Sequence, residues 1–265
     1  MDRWTAKSVD FANQRNYLDE LYKVYPIIPN ERRELSDSTV RKIKSFYDSG
    51  DNKRLVESLL DLEIFPLKDS YVAYLKRDRT AIGRNPETIN RIAGNLRQMG
   101  FDEVIEKCVQ PKETNRQIGP MFKAWVDKGT LGATVYKDPF KFRNSTGNAI
   151  YNGSDEEMKN FCNKYLGYNR DKGIDFIARF NDKYVVGESK FLTDFGGHQN
   201  AQFDDALSTV KSSFKADDGR AVIPICIMDG VLYIKNKGKM YKYLEDHPEH
   251  TIISALILRE FLYSL

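Results

Sequence analysis

The strongest constraint on the fold is a change of hydrophobic period part-way along the chain. Between residues 9 and 126 apolar side chains recur every three or four positions, over 11–24, 40–47, 55–62, 70–76, 86–99 and 119–126, which is the spacing of one helix face. Breaks fall at 26–29, 49–52, Pro66, Gly83 and Gly100, while Ser36 and Asn85 precede helix starts and Pro86 takes a first helical position. After a polar, glycine-bearing connection over 144–154 the pattern changes. It predicts a helix over 155–166, strands over 174–180 and 183–191, a helix over 200–214 and a strand over 221–228. A short strand over 231–234 follows the turn at Asp229-Gly230, and a helix over 251–263 ends the series. Ser154 with Glu157 three residues later has the form of a capping box. This order predicts an α/β fold of the α+β kind, a mixed sheet flanked by helices. It divides into a mainly helical region over 1–135 and an α/β core over 136–265.

Composition excludes several classes. With 265 residues, 41% hydrophobic and 30% charged, the chain can build one large domain or two modest ones, and it is neither disordered nor fibrous. Its longest apolar runs, 221–228 and 252–258, fall short of the ~18–20 residues of a membrane span, so no membrane partner is expected. Charge near Met1 stands where a secretory signal needs an apolar stretch, which predicts a cytoplasmic protein. Cys108, Cys162 and Cys226 are widely separated and never paired as C-x-x-C, so neither a disulfide framework nor a zinc ribbon is expected. His247 and His250 flank Pro248 without further ligands in an obvious spacing and read as a solvated turn. A metal therefore falls to carboxylates, which select hard ions such as Mg2+.

Charge is unevenly spread although the net value is only +3. Lys68, Lys76, Arg77, Arg79, Arg84, Arg91 and Arg97 are opposed within their stretch by Asp69, Asp78 and Glu87, and Lys107, Lys112, Arg116, Lys123 and Lys128 continue the run. Such a run is either a solvated helix surface or a phosphate-binding one.

The segment from Gly173 to Lys190 narrows the chemistry. If Asn181-Asp182 is a two-residue hairpin turn, Phe180 opposes Lys183 and Asp175 opposes Glu188; a longer turn shifts this pairing. Opposed residues share a face with Cβ atoms ~4.5–5.5 Å apart, close enough for two carboxylates to hold one divalent cation. Lys190, two residues beyond Glu188 in the same strand, joins that face. A cation there suits phosphodiester hydrolysis by polarising the phosphate and activating water, with Lys190 beside the attacking water. The alternative is a structural salt bridge on the exposed face of an edge hairpin. Charges among Phe176, Ile177, Val185 and Val186 would be costly without partners or a metal.

An Asp at the start of one strand, thirteen residues ahead of Glu-Ser-Lys in the next and enclosed by helices, resembles the PD-(D/E)XK nuclease superfamily, and within it the type II restriction endonucleases. Ile174 stands where the name-giving proline would be. The resemblance covers about residues 154–228. It implies a restriction-endonuclease-like core, Mg2+-dependent cleavage of double-stranded DNA, metal ligation by Asp175 and Glu188, and Lys190 as the catalytic lysine. Glu156 or Glu157 would be a further metal carboxylate, with the capping box as the other role of Glu157. A homodimer suits a near-palindromic site, and a DNA methyltransferase is expected as genetic neighbour. A repair or junction-resolving nuclease and a non-catalytic DNA-binding protein remain open on the same core.

Residues fitted to contact DNA are Arg84, Asn85, Lys112, Asn115, Arg116 and Arg143, together with His198, Gln199, Asn200 and Gln202 behind the Gly196-Gly197 hinge. They combine phosphate-binding cations with side chains able to read base edges. The helices over 70–76 and 86–99 are candidates for a helix-turn-helix-like unit.

Overall fold

Short polar side chains open several of the helices. In the computed structural model, which describes residues 1–26, 34–110, 118–236 and 238–265, Asp2 accepts from the N–H groups of Trp4 and Thr5 and starts α1 (Arg3–Ala12), with α2 (Tyr17–Val24) after it. The apolar spacing over 11–24 predicts one helix, but the chain breaks there. The Asn13 amide donates to the carbonyls of Val9 and Tyr233, at 2.7 and 3.2 Å, and Asn16 takes a left-handed φ of 68°. Ser36 caps α3 (Asp37–Ser49), Asp51 caps α4 (Asn52–Leu60) and Asp69 caps α5 (Ser70–Arg77). Then come α6 (Ala81–Arg84), α7 (Pro86–Met99), opened by Pro86, and α8 (Phe101–Cys108).

The chain forms two compact units, Met1–Ile27 with Thr114–Leu265, and Ile28–Glu113. The smaller unit is helical, and Leu55, Leu59, Ile92, Leu96 and Val104 are fully buried at its centre. Because α6 intervenes between α5 and α7, these two helices are not joined by the single tight turn of a helix-turn-helix. α1 and α2 instead bury Trp4, Val9, Leu21 and Val24 in the core that covers the sheet. The compact units therefore part near residues 28 and 113 rather than at 135. An amphipathic stripe shows that a helix is covered on one face without saying by which core.

The larger unit continues with α9 (Ile118–Asp127), β1 (Thr134–Tyr136), α10 (Pro139–Asn144), β2 (Ala149–Tyr151), α11 (Asp155–Tyr165), β3 (Phe176–Phe180), β4 (Lys183–Leu192), α12 (Gly197–Val210), β5 (Val222–Gly230), α13 (Lys239–Asp246), β6 (Ile252–Ile253) and α14 (Leu258–Tyr263). Among the described residues its six strands form one sheet in sequential order, antiparallel at β2/β3 and β3/β4 and parallel elsewhere. This is the mixed, helix-flanked α/β architecture expected of a restriction-endonuclease-like core. Alternate residues of the central hairpin enter different cores: Phe176, Ala178, Phe180 and Val185 join one, Ile177, Tyr184 and Val186 the other. With β2 on one side and β5 on the other, the hairpin is not at an edge.

Two more expected elements differ. Residues 231–234 do not form a strand; Val231–Tyr233 make a 3-10 turn. Gly230 ends β5 at φ 102°, where an added Cβ would stand 1.9 Å from the Leu192 carbonyl oxygen, and Tyr233 turns back to donate its hydroxyl to the Met228 carbonyl at 2.9 Å. The predicted helix over 251–263 splits into β6, a 3-10 turn and α14. β-branched Ile252 and Ile253 pair with Cys226 and Ile227 of β5, and Ser254 then caps the following turn.

Candidate active site

Local turn chemistry sets the register of β3 on β4. Asn181 and Asp182 have φ of 46° and 65°, the left-handed pair of a tight hairpin turn. Phe180 pairs with Lys183 and Phe176 with Gly187. One step beyond, the regular ladder ends: the Asp175 N–H also donates to Gly187, to its carbonyl at 3.1 Å, one residue out of register. One Asp175 oxygen accepts from the Ser189 N–H at 2.8 Å. Lys190 Nζ donates to Glu188 Oε1 at 2.6 Å. The structure thus brings together the three residues singled out by the hairpin arithmetic.

Asp175 and Lys190 line a cleft of about 460 Å³ together with Asp155, His198, Gln202 and Asp205. Glu188 is only 4% exposed. Burial, then the negative charge of Asp175, pushes its carboxyl up to about 7, against the opposing pull of Lys190 and Lys172. Burial also raises Asp175, offset in part by Lys190 and the Ser189 N–H. For Lys190 burial acts downward, but Glu188 and Asp175 outweigh it and hold the ammonium above its ordinary range. Glu188 Oε2 is buried with no hydrogen-bond partner. Two neighbouring carboxylates of raised pKa, one with an orphaned oxygen, fit a hard divalent cation.

Three further groups escaped the sequence reading. Asp155, the first residue of α11, lines the cleft and receives Lys123 Nζ at 2.5 Å. Gly173 lets the loop ahead of β3 pass close to it, since a Cβ there would stand 3.2 Å from the Asp155 Cβ. Lys172 Nζ reaches Glu188 Oε1 at 3.4 Å and Asp205 of α12 at 3.1 Å. The helix-start signal at Ser154 did point to Asp155. Nothing periodic links Lys172 to Asp205.

Glu157 completes the capping box. One of its oxygens accepts from the N–H and the hydroxyl of Ser154 at 2.8 and 2.7 Å, and these bonds hold its carboxyl below the usual range.

Of the expected DNA contacts, His198 and Gln202 line the cleft. Gln199 is buried and accepts from the Thr193 N–H at 3.1 Å, and the Asn200 amide donates to the Phe195 carbonyl at 2.8 Å. Both brace the loop between β4 and α12. Arg84 pairs with Asp78 at 2.7 Å, and the Asn85 amide donates to the Ala81 carbonyl at 2.8 Å. Arg143 pairs with Asp217 at 2.7 Å and lies over the Tyr165 ring. Lys112, Asn115 and Arg116 lie outside the described residues.

His247 and His250 are joined by Glu249, one ligand atom of each lying within 4.8 Å of the others. The spacing of the two histidines had shown no such neighbour. Glu249 pairs with His247 at 2.7 Å, and the Tyr243 hydroxyl lies 2.8 Å from His250 Nδ1.

A family model described as Tsp45I type II restriction enzyme matches residues 2–265. The chain belongs to the Tsp45I type II restriction enzyme family. No curated protein and no solved structure matches it. Membership makes the chain a sequence-specific DNA endonuclease, a hydrolase of a restriction system with DNA as its substrate. Type II restriction enzymes generally use divalent metal ions, in keeping with the oxygen-rich Asp175–Glu188 pair. Among the described residues no helix is long and apolar enough to cross a membrane.

Proposed function

We propose that this member of the Tsp45I family cleaves both strands of duplex DNA with Mg2+ held by Asp175 and Glu188. The observation that carries the reading is the convergence of these carboxylates at the central hairpin, where the charge of Asp175 acts on Glu188, with Lys190 beside them and the second Glu188 oxygen left unpartnered. A bound divalent ion supplies Lewis-acid polarisation of the phosphate and lowers the pKa of a water.

The chain's own groups do the rest. The Ser189 N–H fixes the Asp175 carboxylate, and Lys190 places positive charge at the cleft wall, where it can orient the attacking water and stabilise developing negative charge on the phosphate. Asp155, from the helix start that also holds Glu156 and Glu157, adds a third carboxylate to the same cleft. His198 and Gln202 offer polar contacts to the DNA beside it. Cutting both strands of a near-palindrome suits a homodimer, and a host that must protect its own sites implies a cognate DNA methyltransferase encoded nearby. That host DNA would place the enzyme in the cytoplasm.

The test is cleavage of plasmid and phage DNA with Mg2+ by wild-type, Asp175→Asn, Glu188→Gln and Lys190→Met proteins. Discrete fragments are expected from the wild type, and each variant should cut more slowly by about a hundredfold to a thousandfold. DNA binding in Ca2+ should survive all three substitutions. A Glu188→Gln enzyme that still cuts would refute the assignment.

A further inference from the structure

Two ammonium groups converge on one oxygen of Glu188, and they are held differently. Lys190 Nζ, at 2.6 Å, belongs to a residue that lines the cleft and can turn toward a bound phosphate. Lys172 Nζ, at 3.4 Å, is fastened from the other direction by α12: the Asp205 carboxylate at 3.1 Å, the Asp205 carbonyl at 2.5 Å and the Ser208 hydroxyl at 3.4 Å. Its loop is pressed close to the start of α11 at Gly173. Lys172 is thus tied to α12 as well as to Glu188, whereas Lys190 bonds Glu188 and borders the cleft.

A buried carboxylate without a fixed partner is costly and poorly oriented. If Lys190 alone served Glu188, one amine would have to be both the standing counter-charge of the metal ligand and the group that meets the substrate. We propose that Lys172 is a positioning residue, which holds Glu188 so that Oε2 faces the cation and releases Lys190 for the scissile phosphate. This rests on the reading of Glu188 as a metal ligand. Lys172 acts through Glu188 as the outer partners of other metal ligands do, orienting the donor atom.

The sign of the effect makes the idea testable. On Coulomb grounds alone, removing a positive charge near a cation site tightens metal binding. A positioning role predicts the reverse. Mn2+ binding is measured calorimetrically on the full chain without DNA for wild type, Lys172→Met, Lys172→Arg and Glu188→Gln. Lys172→Met should weaken Mn2+ binding by about tenfold, and Lys172→Arg, which keeps charge and reach, should restore it. Lys172→Gln replaces the methionine variant if that one does not fold. Unchanged or tighter binding by the methionine or glutamine variant overturns the proposal, as does an arginine variant no better than methionine. If Glu188→Gln binds Mn2+ like the wild type, the metal-ligand reading itself has failed and the role of Lys172 falls with it.

Discussion

Among the described residues of the larger unit Asp229 is the most enclosed charged side chain, fully buried at the end of β5. One oxygen accepts from the Ser254 hydroxyl at 2.5 Å and the Tyr17 hydroxyl at 3.3 Å, the other from the Tyr25 hydroxyl at 3.0 Å and the Ala255 N–H at 3.2 Å. It thereby joins α2, β5 and the turn after β6. Burial pushes its carboxyl up to about 6, against the pull of these donors. A carboxyl whose folded pKa lies above its unfolded value contributes stability below the unfolded value, near 3.8, and loses it as pH rises through about 6. The difference corresponds to about 3 kcal/mol. Urea unfolding of wild type and Asp229→Asn in EDTA should therefore show their stability gap moving by roughly 2–3 kcal/mol in the variant's favour between pH 4 and pH 7. A gap that does not move with pH would show that Asp229 titrates alike in both states. At this scale the sequence made Asp175, Glu188 and Lys190 legible because one tight turn fixes their relation. It left Asp229 and Lys172 hidden, because their partners, at positions 17, 25 and 254 in one case and 188 and 205 in the other, are distant in the chain.

Elements differ in how much of their geometry is written locally. α11 carries its own start signal: Ser154 accepts from the Glu157 N–H at 3.3 Å and Glu157 reaches back. Ser154→Ala should cost about 1 kcal/mol, because the rest of the helix is held by Met158, Phe161 and Cys162 in the core. Gly230 is the contrasting case. It pairs with Leu192 at the far end of the β4–β5 ladder, two residues past Lys190 on the partner strand, and combines a positive φ with a backbone contact that admits no Cβ. Gly230→Ala should lose on the order of 3 kcal/mol or more and separate the strand ends beside the site, read as a lower Tm and a weakened response to Mn2+. A Tm within a degree or two of the wild type would mean that the strand ends adjust freely. The sequence marked Asp229-Gly230 as a turn but not its exit, since a hairpin and a 3-10 turn share that dipeptide. The hydrophobic spacing over 251–263 likewise concealed β6, whose two residues are too few to impose a period of two.

For the whole molecule the net charge of +3 understates the cationic groups available to DNA, because many are held in surface ion pairs. Arg84 with Asp78, Lys44 with Asp48 and Lys137 with Asp127 are examples. Exposed pairs of this kind are worth ~0–1 kcal/mol, so a phosphate can take over the cation at little cost. The chain can bind a polyanion without a large net charge, and the acidic partners keep the free surface near neutrality. Arg143 is different: Asp217 at 2.7 Å, Asp218 at 3.9 Å and the Tyr165 ring hold it together. Counterion release makes log K fall linearly with log salt, with a slope near −0.9 per phosphate contact. Binding to cognate duplex in Ca2+, followed by fluorescence anisotropy, should therefore weaken by about 10³–10⁵ between 50 and 200 mM salt if on the order of six to ten phosphates are engaged. Arg84→Gln should flatten that slope by about one contact, whereas Arg143→Gln should leave it unchanged. A salt response near zero in the wild type would remove phosphate contacts as the source of affinity. A flattened slope in Arg143→Gln would show that even this triply held cation is given up to DNA.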